Sequence, residues 1–180
     1  QAGKLRTCSR ETLMSNATKS TLSRLHLPIF PTPQKAGAGF KHEHLPDVLN
    51  DEHKVGFFEV HAENFMGEGG APHAALTRLR EAYPIFLHGV GMSLGGESPL
   101  DRDHLKRFCD VASRYEPMVV SEHLAWSSHD ATYYNDLLPV AYTMPVLKRV
   151  VAHINQFQNA LGRTILLENP STYVAFETCD

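Results

Sequence analysis

The chain predicts an α/β fold, the N-terminal part of a TIM-type (β/α) barrel, on three observations. Four short runs, FFEVHAEN (57–64), PIFLHGVG (84–91), MVVSEHLAW (118–126) and TILLENP (164–170), each begin apolar and finish on His, Glu or Asn. Segments of helical period separate them. The 180 residues are short for eight strand–helix units, which typically need about 250 residues. Parallel strands that carry functional groups at their C-terminal ends are how such a barrel builds a site. An open doubly wound sheet would close within this length and is the structural alternative.

Residues 1–36 differ from the rest. They are rich in Ser and Thr, carry Lys4, Arg6, Arg10, Lys19, Arg24 and Lys35, and hold a single acid, Glu11. This composition suits a disordered leader, and an organelle transit peptide is the alternative. The Pro/Gly stretch PIFPTPQKAGAG (28–39) then links it to the folded part.

From residue 37 the pattern is strand, loop, helix. GAGF (37–40) opens a first strand, and EHLPDVLND (43–51) reads as a short helix interrupted near Pro46. VGFFEVH (55–61) is the second strand. Ala75, Leu76, Leu79 and Ala82 share one face of a helix over 71–82. PIFLHGV follows as the third strand. Leu100 to Tyr115 is a helix burying Leu105, Phe108, Val111 and Ala112, with Asp101 and Asp103 at its positive N-terminus.

PMVVSEH is the fourth strand, and SSHD (127–130) a turn after it. The next helix is capped by Thr143, has Pro145 in its first turn and ends at Gly162. Its apolar stripe is Leu147, Val150, Val151, Ile154, Phe157 and Leu161. TILLEN (164–169) is the fifth strand. Connections of this length imply parallel strands and right-handed crossovers.

Composition narrows the function classes. A net charge of −3 gives no reason to expect nucleic acid or an anionic membrane as partner. No apolar run approaches the roughly 18 residues of a membrane span. Cys8, Cys109 and Cys179 form no CxxC pair, which suits a reducing, cytoplasmic compartment. Eleven histidines are the unusual feature. Neutral imidazole is the commonest side-chain metal ligand, so they raise the expectation of a metal site.

The strand ends then locate it. Phe57, Glu59 and His61 share one strand face, and a barrel interior holds such polar groups only when they are paired or bind a metal. Glu63 and Asn64 lie just beyond. His88 follows four apolar residues and precedes GVGMSLGG, a loop whose glycines permit close approach to a ligand but lack nucleotide-binding spacing. Glu122 and His123 are adjacent, so alternation lets only one face inward; Glu122 is favoured, with Trp126 in the site wall. Glu168, after TILL and before Asn169 and Pro170, sits where a metal-binding barrel keeps a bridging carboxylate. Imidazole plus carboxylate without thiolate suits Fe, Mn or Zn. His44, in GxGFxxxH, is a weaker candidate for a ligand or substrate contact. His26, His42, His53, His73, His104, His129 and His153 read as solvated or helix-face residues.

GAGFKHEH, FFEVHAENFMGEGG, FLHGVGMSLG, SEHLAWSS, YYNDLLPVAYT and ILLENPSTYVAF, in this order, resemble the multinuclear non-heme iron-dependent oxidative enzymes, a family that includes the methanobactin-biosynthesis oxidase. The resemblance runs from about Gly37 to the C-terminus. It implies a barrel of the xylose isomerase-like kind and a site of two or three irons. It implies O2-dependent modification of cysteines in a ribosomally made precursor peptide, which a partner protein commonly presents. Carried over to this chain, it makes His61 and His88 iron ligands and Glu168 a bridging one. Glu63, Asn64, Glu122, His123, Asn169, Trp126 and His44 then stand beside the ligands or against the substrate. The family draws further ligands from later strands, beyond Asp180.

Two other functions compete with the oxidative one. The first is a divalent-metal isomerase or phosphoesterase on the same barrel, working with Mn or Zn and indifferent to O2. The second is a truncated, non-catalytic protein that only binds partners.

Overall fold

A computed structural model describes residues 35–50, 55–130, 132–170 and 176. The leader expected over 1–36 therefore lies outside the described residues except for its last two positions. Five strands, β1 (Ala38–Gly39), β2 (Phe58–His61), β3 (Ile85–Gly89), β4 (Val119–His123) and β7 (Leu166–Glu168), form one sheet in the order β1-β2-β3-β4-β7. Every pairing is parallel. The order runs monotonically with the sequence, so the sheet lacks the reversal at which a doubly wound fold switches sides. Five strands in this order are compatible with part of a TIM-type barrel.

Four α-helices connect them: α1 (Leu45–Asn50), α2 (Ala71–Ala82), α3 (Arg102–Tyr115) and α4 (Met144–Leu161). One face of the sheet supplies Phe58, Val60, Ile85, Leu87 and Val120, all nearly inaccessible, to a core shared with Leu76, Leu79, Phe108, Val111 and Phe157 of the helices. Phe108 of α3 meets Phe157 of α4 edge to face at 4.9 Å, which locks those two helices over the sheet. The opposite face carries Phe57 stacked on Phe86, ring centroids 3.8 Å apart, and above them the polar residues of the strand ends.

Local chemistry sets the element ends. Asp101 is the N-cap of α3, its side chain accepting from the N–H groups of Asp103 (2.8 Å) and His104 (3.1 Å). Those bonds hold its carboxyl below the usual range. Gly162 closes α4 in the left-handed conformation, φ 67°, which costs glycine nothing. Thr143 does occupy the cap position of α4, but its hydroxyl makes no capping bond. Pro46 does not interrupt a helix: a 3-10 turn over His42–His44 precedes α1, and Pro46 is the second residue of α1, where its missing N–H has no intrahelical partner to lose.

Two further expectations change. Leu147 and Val151, on the apolar stripe of α4, are 51% and 47% exposed. The turn expected over SSHD (127–130) is instead mostly strand, part of an antiparallel hairpin of β5 (Trp126–His129) with β6 (Thr132–Leu138). It stands apart from the main sheet and reaches back over the loop that follows β3: Ser127 and Ser128 donate their backbone N–H groups to the Ser93 hydroxyl at 2.9 and 3.2 Å.

Candidate metal centre

Strand register builds the centre. His61 pairs with His88, His88 with Ser121, and His123 with Glu168. Directly paired residues of parallel strands point to the same face, and residues two apart on one strand do as well. His61, His88, Ser121, His123 and Glu168 therefore share the face opposite the helices, at the C-terminal ends of β2, β3, β4 and β7.

The side chains converge there. His88 Nε2 lies 2.9 Å from His123 Nε2 and 3.6 Å from Glu168 Oε2. His123 Nδ1 is 4.0 Å from the same carboxylate oxygen and is buried without a hydrogen-bond partner. One donor atom each from His88, His123 and Glu168 lies within 4.8 Å of the others. The His61 and His88 rings are 5.6 Å apart, centre to centre.

His88 is held rigidly. Its Nδ1 shares a 2.8 Å hydrogen bond with the Ser121 hydroxyl, which leaves Nε2 aimed at His123 and Glu168. Burial, then the neighbouring His123, lowers the His88 pKa, against smaller opposing effects of Glu59 and Glu168. The ring is therefore kept in the neutral form that a metal needs. Glu168 is 58% exposed, so the cluster opens to solvent on one side.

The structure reverses the expected order of Glu122 and His123. His123 faces the cluster, and Glu122 faces the helices, 1% exposed. Its carboxylate fills the space beside Gly89 and approaches the Phe108 ring. One oxygen accepts the His123 N–H at 3.1 Å, and the other has no partner. Burial, reinforced by the charge of Glu63, raises the Glu122 pKa well above the ordinary carboxylate value, which favours the protonated form inside the fold. Hydrophobic pattern could not have revealed this, because both faces of VVSEH are covered.

The remaining candidates are spread around the cluster. Glu63 ties the turn after β2 to the loop after β3: one carboxylate oxygen accepts from Val90 and Gly91 N–H at 3.0 and 2.9 Å and lies 3.3 Å from His104 Nε2. Burial pushes its pKa up, but these partners outweigh it and hold it below the usual value. Asn64 lines a separate cleft with His61, Phe40 and Lys41. Asn169 is exposed. His44 is exposed beside Glu43, 3.6 Å away. Trp126 belongs to β5 and lines a cavity between the hairpin and α4. Two histidines read as solvated or helix-face residues do lie on helices but are buried and bonded: His73 bridges Tyr115 OH (2.6 Å) and Gly67 O (2.9 Å), and His153 Nδ1 donates to Leu94 O at 3.0 Å. Ser121 was not singled out from sequence; its place two residues before His123 is the signal that identifies it.

Known proteins match this chain over its folded part. The family model described as RiPP precursor modification enzyme MbnB/TglH/ChrH, where RiPP denotes a ribosomally made and later modified peptide, matches residues 35–180. A UPF0276 protein of Rhizobium meliloti is 58% identical over 159 residues, covering 86% of this chain and 52% of the relative. A UPF0276 protein of Paraburkholderia phytofirmans is 64% identical over 140 residues, 78% of this chain and 46% of the relative. One from Bordetella pertussis is 53% identical over 155 residues, 86% and 54%. The chain thus spans about half the length of the curated relatives it matches. On this evidence the chain belongs to the MbnB/TglH/ChrH family of RiPP precursor modification enzymes.

Proposed function

We propose that this chain supplies part of a non-heme iron site that oxidatively modifies cysteines in a ribosomally made precursor peptide, using O2. The observation that carries the reading is the convergence of His88, His123 and Glu168 at strand C-terminal ends. Two imidazoles and one carboxylate with open positions are the donor set of many Fe(II) oxygenases, and the absence of thiolate disfavours a structural zinc site. The unpartnered Nδ1 of buried His123 also fits a ring that has a ligand to bind, since buried polar atoms are normally satisfied. His61, one strand away, would serve a second ion.

Iron held there would supply the redox chemistry with O2. The chain's own residues do the positioning. Ser121 fixes the His88 ring, the neutral state of His88 keeps a lone pair available, and the exposed side of Glu168 leaves a path for the peptide. Strands β1 to β4 and β7 would form the first part of a xylose isomerase-like barrel over residues 37–180. Iron as the metal, cysteine as the target and a presenting partner protein belong to this proposal, as does the activity of the whole protein.

Anaerobic loading with Fe(II), followed by metal analysis of the desalted protein, tests the site. Iron is expected on the wild-type chain and lost from the triple variant His88→Ala, His123→Ala, Glu168→Ala. Equal retention by both would sink the assignment. Oxygen uptake tests the oxidative part in a protein of the relatives' full length: uptake should require a cysteine-containing peptide, whereas turnover with Mn or Zn and no O2 would point to the isomerase or phosphoesterase alternative.

A further inference from the structure

The loop Ser93–Gly96 after β3 is fastened from every side. The Ser93 hydroxyl accepts two N–H groups from β5, Gly95 N–H donates to Ala125 O at 2.8 Å, and His153 of α4 donates to Leu94 O. Ser93 itself sits at φ 58°, a conformation that non-glycine residues adopt at a cost. A side chain on Gly95 would collide with Val140, and one on Gly96 would press on Ser93. This backbone is built to a tight tolerance, and it floors a cavity of about 330 Å3 walled by Trp126, Tyr134, Val140 and Arg149.

The walls are amphipathic in a specific way. Trp126 gives its indole N–H to Pro139 O at 2.8 Å, so the ring has no polar need left and offers an apolar surface. Tyr134 stands edge-on to it, centroids 5.9 Å apart. Arg149 is the cationic member, and Glu97 and His129 also line the cavity. One of its terminal nitrogens makes only a long 3.4 Å bond to Gly95 O, and its Nε is buried with no partner. Among the described residues no carboxylate lies within ion-pair distance of it, including Glu97, which is exposed on the cavity rim. A guanidinium with donors to spare beside an aromatic wall is a site for an anion joined to an apolar group.

We propose that this cavity binds a carboxylate of a peptide, with Arg149 taking the charge and Trp126 and Tyr134 taking the neighbouring apolar or aromatic side chain. That the source is a peptide rests on the proposed function; the carboxylate and apolar chemistry rests on the cavity alone. Trp126 stands three residues after His123 in the chain.

Trp126 is the only tryptophan in the chain, so its fluorescence reports the cavity directly. Chelator-treated protein is titrated with N-acetylphenylalanine, its amide, the amidated dipeptide N-acetyl-Phe-Asp, and phenyl phosphate. N-acetylphenylalanine or the dipeptide should give a saturable change, and the tighter of the two identifies the source as a peptide C-terminus or an acidic side chain. The simple amide should bind about tenfold more weakly, and Arg149→Met should erase the difference. Tyr134, 42% exposed, can be changed to Ala with little risk to folding and should weaken every aromatic probe severalfold. No saturable change, equal binding of acid and amide, or tightest binding by phenyl phosphate would overturn the proposal. The titration involves no metal, so loss of the iron site and loss of this cavity's function are read separately.

Discussion

Glu122 occupies the volume that a side chain on Gly89 would need. The two residues are register partners on β4 and β3, and a Cβ at Gly89 would overlap the Glu122 carboxylate and come within 2.7 Å of the Phe108 ring. The glycine and the buried acid are therefore one packing unit, placed directly behind His88 and His123.

Gly89→Ala should destabilise the fold by about 1–3 kcal/mol, the usual cost of overpacking a filled core. Glu122→Ala frees that space, so the double variant should be more stable than the sum of the two single effects predicts. Urea denaturation of the four proteins measures this coupling. Strict additivity would show that the contact costs nothing.

The raised pKa of Glu122 has a definite sign. The folded protein keeps a proton that the unfolded chain releases above the ordinary carboxylate value of 4.5, so the folded state binds more protons. Stability from this group is complete below that value and is lost as pH rises toward the folded pKa. The metal-free wild type should melt progressively lower between mildly acidic and neutral pH. Glu122→Gln, which has no proton to lose, should flatten that slope; an unchanged slope would place the titrating group elsewhere.

Exchange of the alternation partners separates site from scaffold. His123→Ala should weaken Fe(II) binding by about tenfold or more. Glu122→Gln should leave it within a few-fold, because its side chain faces α3 and not the cluster. Equilibrium titration with Fe(II) under anaerobic conditions reads both. The reverse ranking would restore Glu122 as the inward residue.

Ser93→Ala removes the acceptor of two backbone N–H groups in β5. It should cost about 1–3 kcal/mol, the desolvation penalty of the orphaned donors. Hydrogen exchange at Ser127 and Ser128 should speed up well beyond that of the main sheet. Uniform exchange across the protein would mean that the hairpin is held by other contacts.

Much of the fold was legible because period and punctuation agreed. The stripe of α3, the glycine after α4 and the apolar runs of β2, β3 and β4 each mark one element unambiguously. What escaped has physical reasons. Both faces of β4 are covered, so nothing in VVSEH says which of Glu122 and His123 faces the cluster. Among the described residues TYYNDLL pairs only with WSSH, a local partner without a hydrophobic run, so the hairpin left little trace. Thr143 has the right residue type for a cap without making the bond. Leu147 and Val151 fit the helical period, yet period reports only which residues share a side and not whether anything covers it. His73 and His153 are buried because Tyr115, Gly67 and Leu94 satisfy them, partners far away in sequence.

The register pairs His61–His88, His88–Ser121 and His123–Glu168 also bear on how this sequence can change its length. Deleting or inserting one residue within β2, β3, β4 or β7 turns everything beyond that point to the other side of the sheet. In β4 a single deletion before the strand end would exchange His123 for a neighbour and send an imidazole toward Phe108. The loops tolerate gain and loss of residues far better. Length variation among functional versions of this sequence is therefore confined to the connections, and the strands act as fixed-length rulers.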